Sequence, residues 1–112
     1  MGIGGVLLQE RNEVLHPIGF VSRKLLTREA KYSTIELECL AIVFTLTKFA
    51  RYLLGRSFTL LSDHKPLSYL RSGRSVRGRL CRWALALQEY DFVVHHIPGS
   101  QNFFADFLSR NV

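Results

Sequence analysis

Apolar and polar positions divide the chain into short alternating stretches and two longer helical ones. Val6-Leu7-Leu8, inside the small apolar run from Gly2 to Gln9, reads as a strand, and Glu10-Arg11-Asn12-Glu13 as a polar turn. His16 to Leu25 alternates through Ile18, Phe20 and Ser22 and is a second strand able to pair with the first as a hairpin; Pro17 near its start suits a sheet edge. Thr27 to Lys31 is a polar connection. Ser33 or Thr34 is then a credible N-cap, and Glu36, three residues after Ser33, completes a capping box. From about Thr34 to Leu53 the apolar residues recur at helical spacing until Gly55 ends the run. Phe58 to Leu61 is a buried strand that stops at Ser62-Asp63, and Pro66 to Leu70 makes a short helix that Ser72-Gly73-Arg74-Ser75 breaks. From about Val76 to Tyr90, Leu80, Trp83, Ala84 and Leu87 line one side of a helix, with Arg79, Arg82 and Glu89 on the other. Phe92 to Ile97 is a strand closed by Pro98-Gly99, and Asn102 can cap a final helix, Phe103 to Arg110. Strands interleaved with helices in this order predict one α/β domain over residues 1–112.

Three acids interrupt apolar surroundings. Glu38 falls on the stripe shared by Thr34, Ala41, Ile42, Thr45 and Phe49; a lone carboxylate there must be paired, protonated or bound to a cation, because burying it uncompensated costs several kcal/mol. Asp63 sits where a strand stops, a place suited either to capping the next helix or to meeting a ligand. Asp106 lies among Phe104, Ala105, Phe107 and Leu108. Acids on separate elements, each in an apolar context, fit a divalent-cation site, and oxygen-only ligands favour Mg²⁺ or Mn²⁺ over zinc. Two such ions can activate water and stabilise the leaving oxygen in phosphodiester cleavage.

Charge adds a partner. The formal net charge is +6, and Lys65 to Arg82 contributes one Lys and five Arg without an acid, while the rest of the chain balances at nine of each sign. A surplus gathered in one segment is the footprint of a polyanion, with a solvated basic face as the plain alternative. Cys39 and Cys81 form no CxxC pair and are expected as buried free thiols. No stretch approaches a membrane span and no charged secretory start is present, so an intracellular protein without a membrane partner is expected.

Several segments together, in order, resemble a known family: Tyr32-Ser33-Thr34-Ile35-Glu36-Leu37-Glu38-Cys39-Leu40-Ala41, Phe49 to Gly55, Ser62-Asp63-His64-Lys65-Pro66-Leu67, Gly78-Arg79-Leu80-Cys81-Arg82-Trp83, Leu87-Gln88-Glu89-Tyr90-Asp91-Phe92, and Pro98-Gly99-Ser100-Gln101-Asn102 leading to Ala105-Asp106-Phe107-Leu108-Ser109-Arg110. They are similar to the ribonuclease H domain of gypsy-type LTR-retrotransposon reverse transcriptases. The resemblance implies a ribonuclease H-like mixed five-stranded sheet flanked by helices. It also implies Mg²⁺-dependent cutting of the RNA strand of RNA–DNA hybrids, beside polymerase and integrase portions of one polyprotein. Glu38, Asp63 and Asp106 correspond by motif position to the family's carboxylates, Asp63 bridging two ions, Glu38 orienting the water and Asp106 serving the leaving-group side. Arg71, Arg74, Arg77, Arg79 and Arg82 would track phosphates, Arg77 and Arg79 foremost, whereas Trp83 belongs to the core. His95 and His96 read as strand residues, and His64 as a helix-start residue.

One departure shapes the expectation for activity. The resemblance implies a further Asp on a first, central strand just before the position of Gly2, and this chain begins at Met1 without it. The sheet is therefore expected to be open in its middle, with unpaired edges on both sides. Nuclease activity of this exact chain is expected to be weak or absent, the alternatives being a catalytically dead nucleic-acid-binding or structural module, or a fragment without independent function.

Overall fold

In the computed structural model, which describes residues 2–71, 78–96 and 106–111, the first two strands form the expected hairpin. β1 (Gly2–Arg11) and β2 (Val14–Lys24) pair antiparallel across Asn12 and Glu13, which have φ of 52° and 66°. Positive φ at both turn residues matches the twist of the strands they join; Asn accepts that conformation readily and Glu does not. Gly19 faces Leu7 but Pro17 faces Leu8, so Ile18 is the extra residue of a bulge. Pro17 has no N–H to donate and lies on a strand at the sheet edge.

A short 3-10 turn (Glu29–Lys31) leads to α1 (Thr34–Lys48). The capping box is formed: Ser33 Oγ accepts from the Glu36 N–H at 3.3 Å, and Glu36 Oε1 accepts from the Ser33 N–H at 3.0 Å. Ala41, Ile42, Thr45 and Phe49 are buried against the sheet, as their spacing predicts. The Thr45 hydroxyl donates to the Ala41 carbonyl at 2.7 Å, and a Cβ on Gly5 would collide with the Thr45 side chain, so the helix rides directly on β1. The helix expected to reach Leu53 unbroken is interrupted at Phe49 (φ −99°, ψ 17°) and resumes as α2 (Ala50–Leu53). At that break the Phe49 ring lies where a Cβ on Gly19 would come within 2.7 Å, so aromatic packing on β2 sets the bend. Gly55, with φ of 78°, ends the segment.

β3 (Ser57–Leu61) is followed by α3 (His64–Arg71), α4 (Gly78–Leu87) and β4 (Asp91–His95), and β3 and β4 run parallel. The break assigned to Ser72–Ser75, the helix start at Val76 and the Pro98-Gly99 stop lie outside the described residues. Trp83 is a core residue, packed with Ile3, Cys39, Leu40, Ala41 and Leu70. A second cluster gathers Leu7, Ile42, Leu46, Phe49, Leu53, Phe58, Leu60 and Leu67, so both clusters lie along α1. Cys39 is buried as expected, Cys81 is only half-buried, and neither forms a disulfide.

Two expectations are overturned at the C-terminal end. Asp106 to Arg110, predicted within a helix, instead belong to β5 (Asp106–Asn111), while the proposed cap Asn102 and Phe103 lie outside the described residues. The sheet is not open in its middle either. Its order is β2-β1-β5-β3-β4, with β5 parallel to β1 from Gly5↔Asp106 to Glu10↔Asn111 and antiparallel to β3 from Thr59↔Ser109 to Leu61↔Phe107. The physical reason is the cost of leaving two facing rows of backbone N–H and C=O groups without partners. A helix of under ten residues is marginal by itself, so ladder bonds on both sides outweigh its local preference.

Candidate metal centre

The topology brings one end of every central element together. β1 runs antiparallel to β3 through their shared neighbour β5, so the start of β1, the start of β5 and the exit of β3 share one end of the sheet. Asp63 lies two residues past the last residue of β3, and Asp106 is the first residue of β5, one step beyond the Leu61↔Phe107 pair. The exit of β3 is fixed: Ser62 is buried, its N–H donates to the His95 carbonyl at 3.2 Å, and its hydroxyl donates to the Asp63 carbonyl at 3.1 Å. Asp63 does cap the start of α3, its Oδ1 accepting from the Lys65 N–H at 3.1 Å. Both roles proposed for it are therefore compatible in one side chain. From the other side the Cys39 thiol donates to the Pro66 carbonyl at 3.4 Å, tying the first turn of α3 to the residue next to Glu38.

Glu38 is half-buried, and among the described residues its carboxylate has no hydrogen-bond or ion-pair partner. Burial pushes its pKa above the ordinary glutamate value, the Asp63 charge pushes it further, and Lys65 only partly opposes them. An acid whose ionised form is disfavoured by desolvation and by a neighbouring acid is what a cation would relieve, so these two residues fit a divalent ion. No three Asp, Glu, His or Cys side chains cluster among the described residues. Of the three predicted carboxylates the fold thus brings Glu38 and Asp63 within electrostatic reach and delivers the backbone of Asp106 to the same end of the sheet.

The other acid on α1 behaves differently. Glu36 is held below the ordinary glutamate range by the Ser33 N–H first and by Arg79 as well. Arg79 Nη2 donates to Glu36 Oε2 at 2.6 Å, and its guanidinium lies 4.1 Å from the Tyr32 ring centroid. Sequence spacing, which set Arg79 beside Arg82, carries no signal of this contact across 43 positions. Arg82 is exposed, whereas the side chains of Arg71, Arg74 and Arg77 lie outside what the structure describes. His95 ends β4, exposed, and His96 comes directly after it. A second unforeseen pair supports the approach to α1: Arg23 donates to both oxygens of the buried Glu29 at 2.6 and 2.9 Å, and the Leu26 N–H donates to it at 2.8 Å.

A mixed sheet with helices packed on it and carboxylates at one end defines a ribonuclease H-like α/β domain. A family model described as the RNase H-like domain found in reverse transcriptase matches residues 1–90, and the chain belongs to that family. It is 44% identical over 110 residues to the retrovirus-related Pol polyprotein from transposon 297 of Drosophila melanogaster, covering 98% of this chain and 10% of that one. The Pol polyprotein from transposon gypsy of the same organism is 39% identical, covering 97% of this chain and 10% of the relative. The enzymatic polyprotein of carnation etched ring virus is 35% identical, covering 96% and 17%. The chain therefore spans a tenth to a sixth of these polyproteins. No described helix is long and apolar enough to cross a membrane.

Proposed function

We propose that this domain is the ribonuclease H of a retroelement reverse transcriptase, hydrolysing the RNA strand of RNA–DNA hybrids with Mg²⁺ or Mn²⁺ held by Glu38, Asp63 and Asp106. The observation that carries the reading is the half-buried Glu38 carboxylate, disfavoured as an anion first by burial and then by the Asp63 charge, and without a hydrogen-bond or ion-pair partner among the described residues. When bound, the ions would supply an activated water and charge stabilisation for the departing oxygen. Asp63, held at a strand exit and by Lys65, gives a rigid oxygen donor, and Glu38 presents its oxygens from the adjacent helix. Arg82, with Arg71, Arg74 and Arg77, would contact phosphates. The natural setting is a polyprotein with polymerase and integrase portions, working in the cytoplasm, a virus-like particle or the nucleus.

Activity of this exact chain is expected to be weak, and β5 favours that reading. The central place in the sheet is taken by residues 106–111, so Asp106 is carried on a strand. The test is cleavage of a labelled hybrid in Mg²⁺ by this chain and by a version extended with about a dozen upstream residues. Cleavage by the extended form that is lost in E38Q and D63N supports the enzyme. Hybrid binding without cleavage in either form would instead identify a catalytically dead module.

A further inference from the structure

Arg79 belongs to the basic segment by sequence, yet its guanidinium is already occupied. It is paired with Glu36 at 2.6 Å and stacked on Tyr32 at 4.1 Å, and Tyr32 in turn meets Trp83 edge-on at 6.1 Å between centroids. Its Nε is buried with no hydrogen-bond partner among the described residues, so this face of the cation is turned into the protein. The pair joins the second residue of α4 to the first turn of α1, two residues from Glu38. The start of α3 is held by Asp63 and by the Cys39–Pro66 contact, and the start of α4 is held by Arg79.

We infer that Arg79 is a positioning residue: through Glu36 and Tyr32 it clasps α4, which carries the exposed Arg82, against the carboxylate-bearing helix α1, and it does not itself bind a phosphate. This rests on the nucleic-acid reading above and deepens it. A clasp and a phosphate contact differ in sign at Glu36. Removing an acid should tighten, or leave unchanged, binding to a polyanion if only charge matters, whereas releasing the clasp should weaken it. Gln at the third helical position still serves a capping box, so E36Q removes the ion pair while keeping the helix start.

The experiment is binding of a fluorescent RNA–DNA hybrid to the full chain in Ca²⁺ across a salt series, with melting curves to verify folding. R79M and E36Q are each expected to weaken binding several-fold with the slope of log K against log salt unchanged, and the double variant to be no worse than the weaker single. R79K, which keeps the charge but not the planar stack, should behave like R79M, and it keeps the test open if R79M fails to fold. R82M should lower the slope by about 0.9, one phosphate contact. A slope change of that size in R79M, unchanged or tighter binding by E36Q, or additive losses would overturn the clasp and leave the nucleic-acid reading standing. Absence of hybrid binding by the parent chain would overturn both.

Discussion

Glu36 and Glu38 are separated by one residue on α1 and live in opposite electrostatic surroundings. Glu36 has the Ser33 N–H and hydroxyl, and Arg79; its charge is favoured and its role is structural. Glu38, about 200° further round the helix, faces another acid and is disfavoured as an anion. The contrast supports the proposed site: a satisfied acid serves the fold's own stability, whereas an unsatisfied one is a candidate for chemistry.

The strongest prediction falls on the unsatisfied side. E38Q and D63N should each lower hybrid cleavage by the extended chain at least about 100-fold, the scale of losing one preorganised charge-stabilising group. Hydrolysis rates in saturating Mg²⁺ check this, and chelation by EDTA should abolish cleavage by the extended chain.

Next comes the satisfied kind of acid. Removing the Arg23 partner in R23M strands a buried Glu29 and should cost about 2–3 kcal/mol by urea denaturation. Hydrogen bonding from Arg23, aided by the Leu26 N–H, holds Glu29 below the ordinary glutamate range, so its folded-state pKa is lower than its unfolded one. That contribution is full above about pH 4.5 and is lost as pH falls through the folded value. The stability gap between the parent and E29Q should therefore narrow progressively below about pH 4.5. A gap constant to about pH 3 would contradict the assignment.

Smaller effects refine the contrast. Without metal, E38Q should melt about 2–4 °C higher than the parent at neutral pH, because the cost of burying the Glu38 charge beside Asp63 is relieved; in Mg²⁺ the order should reverse, because the parent alone would gain the ion. Replacing the Ser33 cap by Ala should cost about 1 kcal/mol. E13G, which places glycine at a turn residue with φ of 66°, should stabilise the hairpin by about 0.5–1 kcal/mol, read from the denaturation midpoint.

Much of this was legible in the chain, for local reasons. Ser33 with Glu36, the buried stripe of α1 and the core place of Trp83 depend on spacings within a turn or two. The odd placement of Glu38 was legible too, as an acid on an apolar stripe. The contacts of Arg79 and Arg23 were not, because an outward-facing arginine carries no mark of which distant acid will take it. Residues 106–111 failed for a different reason. Phe107 and Leu108 among polar neighbours suit a short helix or a strand, and only the place between β1 and β3 decides. Local propensity is silent about a gap whose two walls come from the start and the middle of the chain.

The position of β5 also dictates an order of events during synthesis. Among the described residues, the β1–β2 pair and the β3–β4 pair are joined within the sheet through Asp106–Asn111, whose first residue meets Gly5, about a hundred positions earlier. Until that stretch leaves the ribosome, the nascent chain holds two separate half-sheets with sticky borders, so closure is late, slow and open to chaperones or to pairing with the wrong molecule.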